Sequence, residues 1–414
     1  MEISTWGGRR MNPKIFGTTI ARLRKKCGYT QASLAEKLHL SDKTVSKWES
    51  GLGFPDITQL PALANVFGVT VDYLLSEQNR GITVAGNFMV DIVKNIAAYP
   101  NLGMLADVFS VKEAVGGCGP NVATDLAVID RTLPVSVLGR VGDDEYGRFL
   151  ISKLQTHGVN VSNMCVSTKD QTSFSDVMSL PTGERTFFSF RGANANFSPE
   201  DIDVASLTCK IFHIGYILLL DQFDEKDEEY GTVMARFLRS VQKRGIKTSI
   251  DVVSSSNLSD YEQKVKPALP YADYVIINEL ECCHVWGVSP RKADGSLDVE
   301  NVRLAMQKTM DCGVGEKVIV HAKEAGFCLN KDGTFTKIGS LKVPSEQIKG
   351  SVGAGDAFCA GCLYALYHGY TDEETLKFAS AAAACNLFAE NSVDGMRSKK
   401  EIEKLAETYQ RRSV

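Results

Sequence analysis

The residues Gly350-Ser351-Val352-Gly353-Ala354-Gly355-Asp356-Ala357-Phe358 lead directly into an apolar run at residues 359–366. Glycines allow a tight turn, and the first N–H groups of a helix have no partner inside the helix, so they point toward any anion that binds there. A carboxylate at this place, Asp356, can accept a proton from an attacking hydroxyl. The stretch therefore predicts an anion-binding helix N-terminus with a general base on it. An ordinary turn with Asp356 as the N-cap residue is the alternative.

The 414-residue chain is longer than one typical hydrophobic core, so we expect two or three domains. Hydrophobic residues make up 44% and charged residues 23% of it, a composition typical of soluble proteins. The sequence has no run of about 18 apolar residues and no secretory signal pattern, so we expect a cytoplasmic protein without a membrane span. The eleven cysteines are odd in number and scattered, which agrees with a reducing compartment.

Basic charge is concentrated at the N-terminal end. Residues 1–76 contain ten lysines and arginines against six acidic residues, a net charge of +4; the whole chain carries −4, so the remainder carries −8. Apolar spacing predicts about five short helices in residues 16–75. Two of them are joined by His39-Leu40-Ser41, which suits a helix-turn-helix whose second helix enters the major groove of DNA. A helical protein-interaction domain is the alternative.

Four blocks of this basic segment occur in an informative order: residues 30–35, 45–51, 55–57 and 67–75. In this order they resemble the Xre/Cro-type helix-turn-helix family over residues 15–76. The resemblance implies sequence-specific binding to double-stranded DNA, usually as a dimer on a two-fold site, through the positions Gln31, Ser41, Lys43, Thr44 and Lys47. We therefore place an all-α DNA-binding domain at residues 1–76. A polar linker at residues 77–80 is short enough to limit how far the next domain can separate from it.

Beyond residue 81, short apolar segments that end in Gly, Asp or Asn alternate with helical patterns. The strand-like segments are residues 83–86, 135–139, 211–214, 248–252, 274–278 and 317–320, and a helix is predicted over residues 230–244. Nearly continuous apolar strands separated by helices predict an α/β fold, with a mostly parallel central sheet and helices on both faces. Ligands of such folds bind beyond the carboxyl ends of the strands, where Asn87, Asp251 and Asn278 are expected.

A different pattern occupies residues 172–191. Apolar and polar residues alternate there around Pro181-Thr182-Gly183, which predicts a β-hairpin. Together with residues 104–115, this hairpin is expected to form a small β-sheet lid over the ligand site. A lid of this kind excludes water during group-transfer chemistry.

Several turn motifs stand at the start of predicted helices, and for each by itself an ordinary turn is the better explanation. Their order is more informative: Gly86-Asn87 with Asp91, Gly116-Gly117-Cys118-Gly119-Pro120-Asn121, residues 139–147, Asn278 with Glu281, and Gly353-Ala354-Gly355-Asp356. In this order they resemble the ribokinase/PfkB-like carbohydrate kinases from residue 81 to about residue 400, and we assign residues 81–414 to this domain. The resemblance implies a sugar kinase that uses ATP and Mg²⁺.

The resemblance also implies roles for individual residues. Asp356 is the general base on the accepting sugar hydroxyl, and the N–H groups of Gly353, Ala354 and Gly355 stabilise charge on the transferring phosphoryl group. Asn278 and Glu281 hold Mg²⁺ and the nucleotide phosphates, directly or through water. The remaining implied contacts are with the sugar, from Asp91, Gly116, Gly117, Asn121 and Arg191, and with ATP, from Asn278, Lys323, Gly326, Gly353 and Gly355.

Three positions depart from that family pattern. Gly350 replaces an Asp that commonly helps to hold a monovalent cation, which puts activation by K⁺ in question. The nucleotide loop reads His321-Ala322-Lys323-Glu324-Ala325-Gly326, in which Lys323 either contacts phosphate or is solvated, and residues 391–396 lack the usual Gly-Ala ending.

The sugar itself is indicated by two features of the resemblance. Cys118 stands where relatives that act on sugar phosphates often carry Lys, so an unphosphorylated ketose, pentose or sugar acid is expected. Residues 183–187 and Arg191 resemble the lids of fructokinases and ketodeoxygluconate kinases. Arg191 then either reaches the carboxylate of a sugar acid or is an ordinary surface arginine.

Two functions are compatible with these features. The first is an active carbohydrate kinase fused to a DNA-binding domain. The alternative is a sugar-responsive transcription regulator in which the kinase fold acts mainly as a ligand sensor, with sugar binding altering a homodimer and so the spacing of its recognition helices. A DNA-free role of residues 1–76 is a third interpretation.

Overall fold

The computed structural model describes residues 5–6, 9–10, 13–69, 71–75, 81–182 and 184–414. The linker predicted at residues 77–80 lies outside the described residues, as do Thr70 and Gly183 of the predicted motifs. The chain divides into two compact units, one of residues 1–80 with 206–209 and one of residues 81–205 with 210–414. Within the described ranges, every helix is too short or too polar to span a bilayer.

The N-terminal unit is a bundle of short helices around a small apolar core. Its described elements are the helices α1 (Pro13–Lys26), α2 (Gln31–Lys37), α3 (Asp42–Glu49), α4 (Leu60–Phe67) and α5 (Val71–Leu75), with a short strand pair, β1 (Thr5–Trp6) and β2 (Arg9–Arg10). The core contains one fully buried side chain from each helix: Ile20, Leu34, Val45, Leu63 and Leu74. The five predicted helices are therefore confirmed.

Capping residues define the turn between α2 and α3. The Thr30 side chain accepts the N–H of Ser33 at the start of α2, and the Ser41 side chain accepts the N–H of Thr44 at the start of α3. His39 has a φ of 56°, a left-handed conformation that reverses the chain within three residues. The second helix of the predicted helix-turn-helix is thus positioned by Ser41.

The large unit contains sixteen strands among its described residues: β3 (Ile82–Gly86), β4 (Met89–Ile96), β5 (Val108–Gly116), β6 (Val135–Leu138), β7 (Arg140–Gly142), β8 (Cys165–Ser167), β9 (Ser173–Ser179), β10 (Arg185–Phe190), β11 (Ile211–Ile217), β12 (Lys226–Asp227), β13 (Gly231–Thr232), β14 (Lys247–Val252), β15 (Tyr274–Asn278), β16 (Lys317–His321), β17 (Ala325–Asn330) and β18 (Phe335–Gly339). Eight of them form the central sheet, in the order β18-β17-β16-β15-β14-β11-β3-β6. It is parallel from β16 to β6, whereas β17 pairs antiparallel with both of its neighbours, β16 and β18. The predicted mostly parallel sheet is confirmed.

Helices cover both faces of this sheet, as the alternating pattern predicts. They are α6 (Cys118–Ile129), α7 (Glu145–Thr156), α8 (Val233–Gln242), α9 (Leu258–Asp260), α10 (Glu279–His284), α11 (Val299–Asp311), α12 (Ala354–His368), α13 (Asp372–Asn386) and α14 (Lys399–Thr408). The helix predicted at residues 230–244 was too long. Its first residues form β13, which pairs with β12, and Thr232 then caps α8.

A second, four-stranded sheet has the order β10-β9-β4-β5. The predicted hairpin is confirmed, because β9 and β10 pair antiparallel from Ser179 opposite Arg185 to Phe174 opposite Phe190. β4 was not predicted, and β5 begins at Val108 rather than at residue 104. Between its two neighbours, β4 carries Asp91 opposite Ala114 of β5 and Ser175 of β9. The small β-sheet lid thus supplies one of the predicted site residues from its centre.

Candidate active site

The glycine-rich stretch forms the N-terminus of α12, with Gly353 as its N-cap residue. Gly353 has a φ of 80°, and a Cβ there would lie 2.6 Å from the Ser392 carbonyl oxygen, so a side chain is excluded. Asp356 is the third residue of the helix, which rules out the alternative in which it serves as the N-cap. Among the described residues, the N–H groups of Gly355 and Asp356 have no backbone acceptor. They are free to bind an anion.

The Asp356 carboxyl group is buried, with 4% of the residue exposed, and two side chains donate hydrogen bonds to it. Asn121 Nδ2 donates to Oδ2 over 2.8 Å, and Tyr216 Oη donates to Oδ1 over 3.1 Å. Burial raises the pKa of Asp356 to about 6, although both hydrogen bonds act to lower it. The Asp356 carboxyl group is therefore largely ionised at neutral pH, and its pKa is close enough to neutrality for it to accept and release a proton there.

Two glycines bring Asp91 of the lid close to α6. Gly117 has a φ of 85° and caps α6, and a Cβ on it would lie 2.3 Å from the Asn87 carbonyl oxygen. A Cβ on Gly116 would lie 2.5 Å from the Asp91 carboxyl group. Burial, and then the charge of Asp356, raise the pKa of Asp91 to about 7, while Arg185 lowers it. Asp91, Asn121 and Asp356 are thus brought together, as the sequence predicts.

A narrow cleft lies between the lid and the loops beside α12. The lid contributes Asp91, Val93, Ala114, Val177, Arg185 and Phe187, and the other wall consists of Val352, Glu390, Asn391 and Ser392. Across it, Arg185 Nη2 donates to the Glu390 carbonyl oxygen over 3.1 Å, and Lys112 Nζ lies 2.9 Å from the Glu390 carboxylate. On the lid face that lines the cleft, Asp91 supplies an acidic group and Arg185 a cationic group.

Arg191, the arginine predicted to contact the sugar, is placed elsewhere. Its Nη1 donates to the Leu219 carbonyl oxygen over 3.0 Å, and its Nη2 lies 3.7 Å from Asp221 Oδ1. Arg185 lines the cleft instead. The sequence contained a signal for this, because Arg185 belongs to the quoted lid motif at residues 183–187.

Asn278 and Glu281 form a reciprocal cap at the start of α10. Asn278 Oδ1 accepts the N–H of Glu281 over 2.8 Å, and Glu281 Oε2 accepts the N–H of Asn278 over 2.9 Å. Glu281 Oε1 also accepts from Asn278 Nδ2 and from Ser254 Oγ, over 2.7 and 2.8 Å. Most acceptor positions of Glu281 are therefore occupied, which fits a role in holding the water shell of an ion better than direct coordination.

A third buried carboxylate, Asp251, is the last residue but one of β14, at the carboxyl end of the strand. Burial, then the charges of Glu281 and Asp356, raise its pKa well above the ordinary value, and burial raises the pKa of Glu281 to about 7. The mutual repulsion of these acidic groups is the kind that a divalent cation relieves. The oxygen donors of Asn278 and Glu281 are of the kind that Mg²⁺ prefers, and Asp251, which was expected at a strand end, adds a further acidic group near Glu281.

The predicted nucleotide loop is the turn between β16 and β17. Lys323 is exposed at its tip, and Glu324 accepts from Arg291 over 2.7 Å. Gly326 is buried, and a Cβ on it would lie 3.2 Å from Leu376. The His321 ring packs on Phe358 of α12 with centroids 4.9 Å apart, and burial lowers its pKa to about 4, so it is neutral. Lys323 is thus exposed to solvent, whereas Gly326 lies in the packed part of the same turn.

Gly350 lies close to the loop that follows α13. A Cβ on it would lie 2.8 Å from the Ala389 carbonyl oxygen, closer than side chains are found to backbone. An aspartate at this position would require that loop to shift. The backbone around Gly350 therefore leaves no room for the aspartate that the family commonly has at this position.

In the N-terminal unit, the five predicted DNA-facing residues lie on or beside α2 and α3. Lys43 and Lys47 are exposed, whereas Ser41 and Thr44 are joined through their hydroxyl groups over 2.8 Å. Gln31 Nε2 donates to Glu49 over 2.8 Å. Glu49 also accepts two hydrogen bonds from Arg24, over 2.6 and 3.0 Å, which ties α1 to α3. Of the five predicted DNA-facing residues, Lys43 and Lys47 are thus the two that present an exposed positive charge.

Comparisons with known proteins agree with this architecture. The pfkB family carbohydrate kinase profile matches residues 80–399, and a helix-turn-helix profile matches residues 20–74. The chain is 25% identical to Arabidopsis thaliana ribokinase, over 78% of this chain and 80% of that protein, and 25% identical to probable fructokinase-7 of the same plant, over 82% and 96%. It superposes on an E. coli putative ribokinase II, crystallised with ATP and Mg²⁺, with a TM-score of 0.64 and 18% identity over 79% of this chain and 99% of the other.

Proposed function

The chain belongs to the pfkB family of carbohydrate kinases, and from this premise we propose that it transfers a phosphoryl group from ATP to a hydroxyl of an unphosphorylated ketose, pentose or sugar acid. The observation that carries the proposal is the position of Asp356, a buried carboxylate in the first turn of a helix whose N–H groups are free. A proton acceptor and an anion site on one helix turn are what phosphoryl transfer to an alcohol requires.

In the proposed reaction, Asp356 accepts the proton of the sugar hydroxyl while the free N–H groups of Gly355 and Asp356 offset the charge on the transferring group. The Ala354 N–H, which the sequence also predicted for this role, donates to the Ser351 carbonyl oxygen over 3.3 Å. Asn121 and Tyr216 hold the carboxylate in place through their hydrogen bonds. Mg²⁺, when bound, neutralises phosphate charge, and Asn278, Glu281 and Asp251 would hold it, in part through water. The lid keeps bulk water away from the reacting groups.

Sugar recognition is proposed for the cleft under the lid. Asp91 supplies a hydrogen-bond acceptor for sugar hydroxyls, and Arg185 supplies a cationic donor on the same face. Asn121 and the backbone at Gly116 and Gly117 border Asp91. Arg185 thereby takes the place that the sequence assigned to Arg191. It suits either a sugar acid carboxylate or a ring hydroxyl, and the ribokinase and fructokinase relatives favour a neutral sugar.

The test is a phosphorylation assay of the purified chain with ATP, Mg²⁺ and a panel of pentoses, ketoses and sugar acids. We expect turnover of at least one class and a loss of about 10²–10⁴-fold in kcat for Asp356→Asn. Asp332→Asn, in the turn before β18, is the matched control and should be unaffected. A panel without turnover, or equal rates for Asp356→Asn and the control, would contradict the proposal.

A second function, regulation of transcription in response to sugar, is supported by the helix-turn-helix match and by the exposed Lys43 and Lys47. We propose that these lysines and the adjoining Gln31, Ser41 and Thr44 contact double-stranded DNA. Sugar-dependent operator binding should then be measurable. If the response persists in Asp356→Asn, sugar binding is the signal; if it is lost, turnover is the signal.

We also propose that the protein is a homodimer through the outer face of the lid. Phe109, Val111 and Phe188 are 67%, 58% and 56% exposed on the face opposite Asp91 and Arg185. Large exposed apolar side chains on both edge strands of one face favour a protein contact, and helix-turn-helix proteins commonly bind two-fold sites as dimers. Sedimentation should show a dimer that Phe109→Glu with Phe188→Glu converts to a monomer. A wild-type monomer at micromolar concentration would contradict this.

A further inference from the structure

Besides Asn121, helix α6 carries a buried acidic residue, Asp125, which has no role in the proposed reaction. Asp125 follows Asn121 by four residues, so both lie on one face of the helix. Asp125 is fully buried and Asn121 is 3% exposed. Within the described residues, neither carboxyl oxygen of Asp125 has a hydrogen-bond partner, and neither has Oδ1 of Asn121. Three acceptor oxygens are therefore buried on one helix face without a donor.

The direction of Asn121 is constrained by the general base. Its Nδ2 donates to Asp356 Oδ2 over 2.8 Å, which turns its Oδ1 away from that carboxylate. Side chains on a helix lean toward its N-terminus, over the residue four positions earlier. The Asp125 carboxyl group is therefore directed toward Asn121. A buried ionised carboxylate beside an amide oxygen would be strongly unfavourable, whereas a protonated one supplies the missing donor.

We propose that Asp125 carries a proton at neutral pH and donates it to Oδ1 of Asn121, which fixes the Asn121 amide with its Nδ2 toward Asp356. Without that donor, the amide can rotate by half a turn and place its oxygen against the Asp356 carboxylate. Asp125 is then a positioning residue, because it acts on the general base only through Asn121. The inference rests on the proposed function of Asp356 as the base.

The charged surroundings agree with a neutral Asp125. Burial, and then the charge of Asp356, raise the pKa of Asp125 well above its ordinary value, and Cys385 of α13 is the other titratable group in its field. On α13, Asn386 Oδ1 is a further buried acceptor without a donor, while its Nδ2 donates to the Val352 carbonyl oxygen over 2.6 Å. The titratable groups that feel the charge of Asp356 are Asp91, Cys118, Asp125, Tyr216, Asp251 and Cys359.

Two variants separate this role from simple packing. Asp125→Asn keeps the shape and retains an N–H donor for Asn121, whereas Asp125→Leu fills the space without one. We expect the acid limb of the kcat/KM profile to stay in place for Asp125→Asn and to move upward by about one pH unit for Asp125→Leu, because Asp356 loses a correctly oriented donor. An equal shift of the acid limb in both variants, or no shift in Asp125→Leu, would overturn the proposal. The second result would indicate that Asp125 donates its proton to Oδ1 of Asn386 instead of Asn121.

Infrared spectroscopy tests the proton without relying on catalysis. At pH 8, the difference spectrum of the wild-type chain minus Asp125→Asn should contain a protonated-carboxyl C=O band, because the subtraction removes the bands of other buried carboxyl groups such as Asp251. Absence of this band from the difference spectrum would overturn the inference even if the enzyme is active. If the band is present but Asp356→Asn retains full activity, the proposed function fails while the proton on Asp125 stands. Thermal unfolding of each variant verifies that it is folded.

Discussion

Removal of one hydroxyl group at the active site gives a quantitative test of Asp356 as the base. Tyr216 Oη donates to Asp356 Oδ1 over 3.1 Å, and Tyr216→Phe removes this donor while it keeps the ring. A hydrogen bond to a charged group contributes about 1.5–3 kcal/mol, and one pKa unit corresponds to about 1.4 kcal/mol. Because 3.1 Å is long for an O–H donor, we take the lower end.

Losing a donor destabilises the carboxylate, so the pKa of Asp356 must rise. It should move from about 6 to about 7. At pH 6 the wild-type base is half ionised and the variant about one tenth ionised, so kcat/KM should fall by about fivefold, whereas at pH 9 the two should converge. The assay is the pH dependence of kcat/KM with saturating ATP and Mg²⁺, with Tyr230→Phe as the control because its ring packs on Tyr271.

An acid limb that stays near pH 6 in Tyr216→Phe would refute the reasoning, because the group that titrates would then not be the one that Tyr216 contacts. A wild-type limb near pH 7 that Tyr216→Phe leaves in place would assign it to Asp91, whose pKa is also about 7. Loss of activity at every pH would indicate that the hydroxyl group acts on the substrate and not on the Asp356 charge.

Three further outcomes are expected. The pKa of Asp356 is raised in the folded state, so the protonated group stabilises the fold fully below about pH 4, and this contribution is lost as the pH rises through about 6. Urea unfolding should therefore show Asp356→Asn to be more stable than wild type by about 1–3 kcal/mol at pH 8, with no difference at pH 4. Lys43→Ala with Lys47→Ala should weaken DNA binding and reduce the slope of log K against log salt by about 2, whereas Lys331→Ala, in the large unit, should change neither. Because Gly350 has no carboxylate for a cation and no space for one, replacing KCl by tetramethylammonium chloride at equal ionic strength should leave kcat unchanged, and a strong dependence on K⁺ would show that backbone oxygens suffice.

The local features of this protein were readable from its sequence. The glycines before Asp356, the five helices of residues 16–75 and the apolar strands β3, β11, β14, β15 and β16 each depend on contiguous residues, and the structure places them as predicted. The lid hairpin was predicted for the same reason, since alternation and a turn are properties of a short segment. β4 was missed because apolar and polar residues do not alternate strictly along its sequence, and because one of its two neighbours, β9, comes from a distant segment of the chain.

Which arginine lines the cleft was decided only by the tertiary structure. Arg185 and Arg191 stand six residues apart in one segment, and the sequence does not show where the strand ends. β10 ends at Phe190, so Arg191 lies beyond the lid and turns to Leu219 and Asp221, while Arg185 faces the cleft. The difference arises from the register of a strand and the direction of the chain after it.

The sequence by itself determined which residue is the candidate base, because Asp356 follows its own anion site within one helical turn. Only the tertiary structure decided what controls that base. Asn121 and Tyr216 are 235 and 140 residues away along the chain, and they reach Asp356 because α6 and β11 pack beside α12. Burial and hydrogen bonding set a pKa, and both depend on neighbours that the order of residues does not reveal.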